Sequence, residues 1–140
     1  MIDVVMILIG AGALGGLITS SDLPGQIVRL ITAAGVPGAL LAPIAGILMA
    51  AATASTSTGV ILGASSFGET ILAFGTTPVA AAVTMQAGAT VIDALPHGNY
   101  FHVSAKSMNM SIGERLGVLP FEALVGLTMT VVAVVLNIVF

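Results

Sequence analysis

The chain has no cysteine. No disulfide, zinc–thiolate centre or thiol nucleophile can be built from it, and the redox compartment in which it folds leaves no mark on it. Charge is almost as scarce. Three Lys and Arg residues and six Asp and Glu residues make up 6% of the 140 positions, against roughly 25% in an ordinary soluble domain. Three cations cannot track a phosphate backbone, which excludes nucleic acid as a partner. A net charge of −3 selects neither an acidic nor a basic ligand.

What fills the chain instead is apolar: 57% of residues are hydrophobic and the mean hydropathy is +1.16. Nine charges cannot cover a compact soluble domain without leaving large apolar patches, and lipid accepts such a surface where water does not. The sequence therefore predicts an all-α, polytopic transmembrane protein. Its N-terminus, "MIDVVMILIG", carries an acid where a secretory signal carries bases, and runs on into glycines instead of a cleavage site; it reads as mature sequence.

Five segments follow from the pattern of apolar runs and breakers. Residues 1–19 are apolar apart from Asp3 and long enough to span as a helix. Gly12 and Gly16 form a GxxxG pair there, which allows close approach of another helix. Residues 22–34 read as a short interfacial helix, with Ser21 or Asp22 as N-cap, Pro24 in the first turn and Gly35 just past the end. Residues 36–92 are too long for one crossing and are interrupted by Ser, Thr and Gly, as a broken helix or re-entrant hairpin requires. Residues 93–118 read as a polar loop holding a short helix, with "SIGE" at Ser111–Glu114 as a capping box. Residues 119–140 form a second spanning helix, with Pro120 and Glu122 in its first turn. Arg29 lies in one loop and Lys106 with Arg115 in another, so the positive-inside rule predicts an even number of crossings between them.

The chemistry concentrates in three places. "AATASTSTGVILG" sets five hydroxyls, Thr53, Ser55, Thr56, Ser57 and Thr58, within six positions of an apolar run. Such residues serve as interface filler, or bond back to their own helix. At a helix break they also stand beside free N–H groups and a positive dipole end, which suits a small organic anion. Glu69 is the single acid between Asp22 and Asp93. It either marks a helix terminus or faces a wet cavity as a proton-coupling group.

"IDALPHGNYFH" gathers Asp93, His97, Asn99, Tyr100 and His102. It reads as a polar turn with Tyr100 at the headgroup level, or as a gate or proton-binding element. The two histidines are five residues apart and share no helical face, so neither a metal nor another cofactor is expected. A hydrolase reading from Ser104 and Lys106, or from Ser65, His97 and Asp93, lacks both SxxK spacing and a GxSxG elbow.

The order of "ILIGAGALGG", "TASTSTGVILGAS", "AGATVIDALPHGNYF" and "MNMSIGERLGVLPFEALVGLTMTVV" resembles the C-terminal part of the gluconate permease family of proton-coupled organic-anion symporters. The D-x-L-P-H-G turn and M-S-I-G-E-R are its more specific parts, and the resemblance covers most of the chain. It implies two inverted halves meeting at a central anion site, proton-driven uptake of gluconate or a related hydroxy-carboxylate, and a place in the cytoplasmic membrane. Carried over to this chain, it implies Ser55, Thr56, Ser57 and Thr58 as substrate contacts, with Asp93, His97 and Asn99 as the polar turn beside them. The chain reads as the C-terminal half, so a second copy or a complementary N-terminal half would complete the site. Two other readings stand beside transport: a membrane assembly subunit using its GxxxG face, and an intramembrane hydrolase.

Overall fold

The computed structural model describes residues 20–35 and 37–139, together with Ile9, Gly10, Ala13, Gly16 and Leu17. Of the expected spanning helix over 1–19 only those five positions are described, and Gly12 of its GxxxG pair lies outside the described residues. The described residues form helices joined by turns, with no strand among them: α1 (Leu23–Ala33), a 3-10 turn at Gly38–Leu40, α2 (Leu41–Thr53), α3 (Thr56–Ala73), α4 (Pro78–Ala89), α5 (Asn99–Ser107) and α6 (Ile112–Val139).

Local chemistry sets most of the boundaries. At the α2–α3 break Ala54 adopts the left-handed conformation (φ 47°, ψ 40°) and Ser55 is extended. The Ser55 hydroxyl then accepts from the Thr58 N–H at 3.4 Å, capping α3. Gly75, at φ +86°, turns the chain after α3. Thr77 caps α4 by accepting from Ala80 N–H at 3.2 Å, and Pro78 stands at its start, where a missing N–H costs nothing. Helix α5 ends in a Schellman motif: Asn109 is left-handed (φ 52°), and the Met110 and Asn109 N–H groups donate to the Ala105 and Lys106 carbonyls.

The predicted capping box forms. The Ser111 N–H and hydroxyl donate to Glu114 Oε2 at 2.8 and 2.7 Å, and the Glu114 N–H donates to the Ser111 hydroxyl at 3.3 Å. Helix α6 therefore begins at Ile112, not Leu119, and Pro120 lies inside it rather than opening it. That shortens the polar loop expected over 93–118, which also contains α5.

Small residues bring the helices together. A Cβ on Gly59 would lie 2.6 Å from the Ala50 nitrogen, one on Gly46 2.2 Å from the Met85 carbonyl oxygen, and one on Gly88 2.2 Å from the Pro43 carbonyl oxygen. These contacts make α2 and α3 a tight antiparallel hairpin and lay α4 antiparallel against α2, backbone on backbone. Leu41, Ala45, Met49, Leu62, Phe67 and Met85 fill the core between them, and Ile27 and Val28 of α1 pack on its edge.

At ~1.5 Å per residue, α2 and α4 rise about 20 Å each or less, short of a ~30 Å hydrocarbon core. Among the described residues α6 alone is long and apolar enough to cross a membrane. It lies along α4, where a Cβ on Gly126 would sit 2.6 Å from Val91 Cα.

Candidate functional site

The α2–α3 break and the Asp93–Asn99 turn are far apart in sequence and meet in the fold. Thr56 Oγ1 donates to Asp93 Oδ2. His97 Nε2 lies 2.9 Å from the Ala51 carbonyl oxygen, so Nε2 carries the proton in that bond. A Cβ on Gly98 would fall 2.7 Å from Ala54 Cβ and 2.8 Å from its carbonyl oxygen. The hairpin tip is thus seated on the turn, and Gly98 also caps α5.

Three of the five hydroxyls have local tasks. Thr53 donates to the Met49 carbonyl at 2.8 Å and the Ser55 carbonyl at 3.1 Å, Ser55 caps α3, and Thr56 holds Asp93. Ser57 is exposed and Thr58 half-buried, and neither hydroxyl is bonded among the described residues. The N–H groups of Thr56 and Ser57, at the start of α3, have no carbonyl one turn behind them. The start of α5 lies at the same junction, so two positive helix ends flank it. Asn99 is exposed in the first turn of α5.

Glu69 is not part of this cluster. It lies near the other end of α3, about 20 Å of helix rise from Thr56, and is exposed. The Ser65, His97 and Asp93 set, which lacks the elbow motif in sequence, is likewise spread out, since Ser65 bonds the Ile61 carbonyl at 2.6 Å well along α3. Ser104 accepts from Arg115 Nε at 2.9 Å rather than standing beside a base.

One group escaped the sequence reading. Arg115 is 2% exposed and forks onto Glu122, Nη1 to Oε2 at 2.7 Å and Nη2 to Oε1 at 3.0 Å. Its guanidinium carbon lies 5.6 Å from the Tyr100 ring centroid and 5.1 Å from that of Phe101. The Tyr100 hydroxyl donates to Glu122 Oε1 at 3.4 Å. Positions seven apart share a helical face, so the pair had a signal; taking Pro120 as a helix start put its partners in different elements. Arg115 is thus a buried, neutralised cation, which removes one of the three charges behind the positive-inside argument.

The chain is 43% identical over 133 residues to a protein of Haemophilus influenzae (strain ATCC 51907 / DSM 11121 / KW20 / Rd) named an uncharacterized transporter. The match takes in 95% of this chain and 32% of that protein, so the chain spans about a third of the length of the curated relative it matches. No protein-family model matches the chain, and no solved structure does. Nearly the whole chain is therefore similar to one stretch of a protein named a transporter.

Proposed function

We propose that this chain is part of a proton-coupled carrier for a small organic anion, gluconate or a related hydroxy-carboxylate, in the cytoplasmic membrane. The observation that carries the reading is the seating of the hydroxyl-rich hairpin tip on the Asp93–Asn99 turn. That junction adjoins the part of α6 around Gly126, near the midpoint of the one described helix long enough to span. Two helix N-termini, the Ser57 hydroxyl and Asn99 offer donors to a carboxylate at that depth, while Asp93 and His97 supply titratable groups beside it. Glu69 is a second, separate candidate for handling protons. The similarity to a protein named a transporter supports transport, and its greater length supports a site completed by further chain or by a second copy.

The test is uptake of labelled gluconate and a panel of hydroxy acids into proteoliposomes, with and without an inward proton gradient. It should be run on this chain alone and on this chain joined to the remaining two thirds of the relative. Saturable, gradient-driven uptake that falls in Ser57→Ala is expected from at least one preparation. Folded protein that transports nothing in either would overturn the reading and favour a non-transporting assembly subunit.

A further inference from the structure

A cavity of about 330 Å³ opens between the end of α4, the turn after it, and α6; its wall includes Thr90, Asp93, Tyr100, Phe121, Glu122 and Met129. Its two hydroxyls already donate, Tyr100 to Glu122 Oε1 and Thr90 to the Ala87 carbonyl. Two carboxylates, a phenol and a threonine hydroxyl give it acceptors in excess, and the rest of the wall is apolar or aromatic. Such a lining recognises hydrogen-bond donors carried on a carbon skeleton.

Glu122 is the part of that wall whose position is fixed. Its carboxylate is held by both arms of the Arg115 fork, and Arg115 is fixed in turn by Ser104 and by the rings of Tyr100 and Phe101. The fork neutralises the charge of Glu122 without using all of its lone pairs, since a carboxylate accepts about four bonds. Glu122 is therefore a rigid acceptor that adds little net repulsion toward an anionic ligand, in contrast to Asp93, which is bonded to the neutral Thr56 hydroxyl. Asp93, which holds Thr56 from the other side, links the cavity to the hairpin tip.

We propose that Glu122 is a specificity-determining residue that accepts hydrogen bonds from the hydroxyl groups of the substrate, and that Arg115 is the positioning residue that fixes it for this role. The inference deepens the organic-anion reading and rests on it. The carboxylate end of the ligand lies at the start of α3 beside Ser57, and the hydroxyl-bearing end extends past Asp93 into the cavity. The apolar part of the wall, Phe121 and Met129, covers the C–H face of the same skeleton. A simple fatty acid would satisfy the first half of the site and leave the acceptors of the second unpaired, which is how a polar pocket rejects an analogue lacking hydroxyls.

The experiment is binding of three probes, gluconate, hexanoate and glucitol, to the full chain in nanodiscs. The readout is the ratio of gluconate to hexanoate affinity, which a merely structural defect would leave unchanged while lowering both. In wild type gluconate should bind tighter than hexanoate, and glucitol should compete with gluconate. Glu122→Gln should reduce the ratio about tenfold, the effect of losing one hydrogen bond to a charged group, with hexanoate affinity unchanged. Because that variant leaves Arg115 buried without its partner, Tyr100→Phe and Arg115→Lys serve as milder companions. Each should lower the ratio by a smaller factor, Arg115→Lys by loosening the fork while keeping the charge. An unchanged ratio in all three folded variants would overturn the assignment, as would a wild type that does not prefer gluconate. Proton-driven uptake of any other organic acid by the same preparation would then leave the transport reading standing by itself.

Discussion

Ala54 is the residue on which the junction turns. It sits in the left-handed region, which costs an L-residue roughly 1–2 kcal/mol relative to glycine. It is 5% exposed, with its methyl group against Gly98. The pairing of a side chain at 54 with none at 98 fixes how closely the tip approaches the turn. Gly98→Ala should destabilise the protein by about 1–3 kcal/mol, since the new methyl meets both the Ala54 side chain and its carbonyl oxygen. Adding Ala54→Gly removes the first clash and the left-handed cost but keeps the second, so the double variant should recover part of the loss. Thermal unfolding in detergent measures both; a Gly98→Ala protein as stable as wild type would mean that tip and turn are not held together. Thr56→Val should cost a further ~1–2 kcal/mol by leaving the half-buried Asp93 carboxylate without its donor.

Among the elements, α2 and α4 are joined through glycine, and Gly88 gives the sharper test. A methyl there would lie 2.2 Å from the Pro43 carbonyl oxygen, and backbone cannot rotate aside as a side chain can. Gly88→Ala should lower the unfolding midpoint more than Ala87→Gly does, because a helix-interior glycine costs only about 1 kcal/mol while the clash forces two helices apart. The reverse order would show that α4 does not pack on α2 as described.

The capping box at Ser111 and Glu114 was readable from sequence because its side chains act on neighbouring backbone, whereas Ser55 and Thr77 cap helices in the same way from within a run of hydroxyls and a Gly-Thr-Thr-Pro stretch that read only as breaks. The expectation of a break within 36–92 rested on the Ser, Thr and Gly that interrupt an apolar run. The meeting of Thr56 with Asp93 could not be derived from spacing, because two largely apolar helices, α3 and α4, separate them. Pro120 misled for a physical reason, since a proline is tolerated at a helix start and costly inside. Here the Arg115–Glu122 pair bridges the chain across it, from one side of the proline to the other. Arg115→Ala should therefore cost about 3 kcal/mol in unfolding free energy, the low end for a broken buried pair because the Glu122 side chain retains 28% exposure.

For the molecule as a whole, the absence of cysteine is an experimental advantage, because any single introduced thiol is the sole target of a maleimide. The proposed arrangement places Ser57 and Asn99 on a wet path and the exposed apolar face of α6, including Leu127 and Val131, against lipid or further protein. A membrane-impermeant maleimide reaches thiols only through water, and a thiol in hydrocarbon also ionises too little to react. Ser57→Cys and Asn99→Cys should thus be labelled in intact vesicles, and Val131→Cys should not. Gluconate at saturating concentration should slow labelling of Ser57→Cys several-fold, since the ligand carboxylate would occupy the space beside that side chain, while Met108→Cys, exposed at the end of α5 and away from the junction, should label at an unchanged rate. Equal labelling at Ser57 and Val131 would remove the distinction between a wet tip and a lipid-facing helix on which the transport reading depends. Labelling at Ser57 that no organic acid slows would keep the wet path and move the anion elsewhere along it.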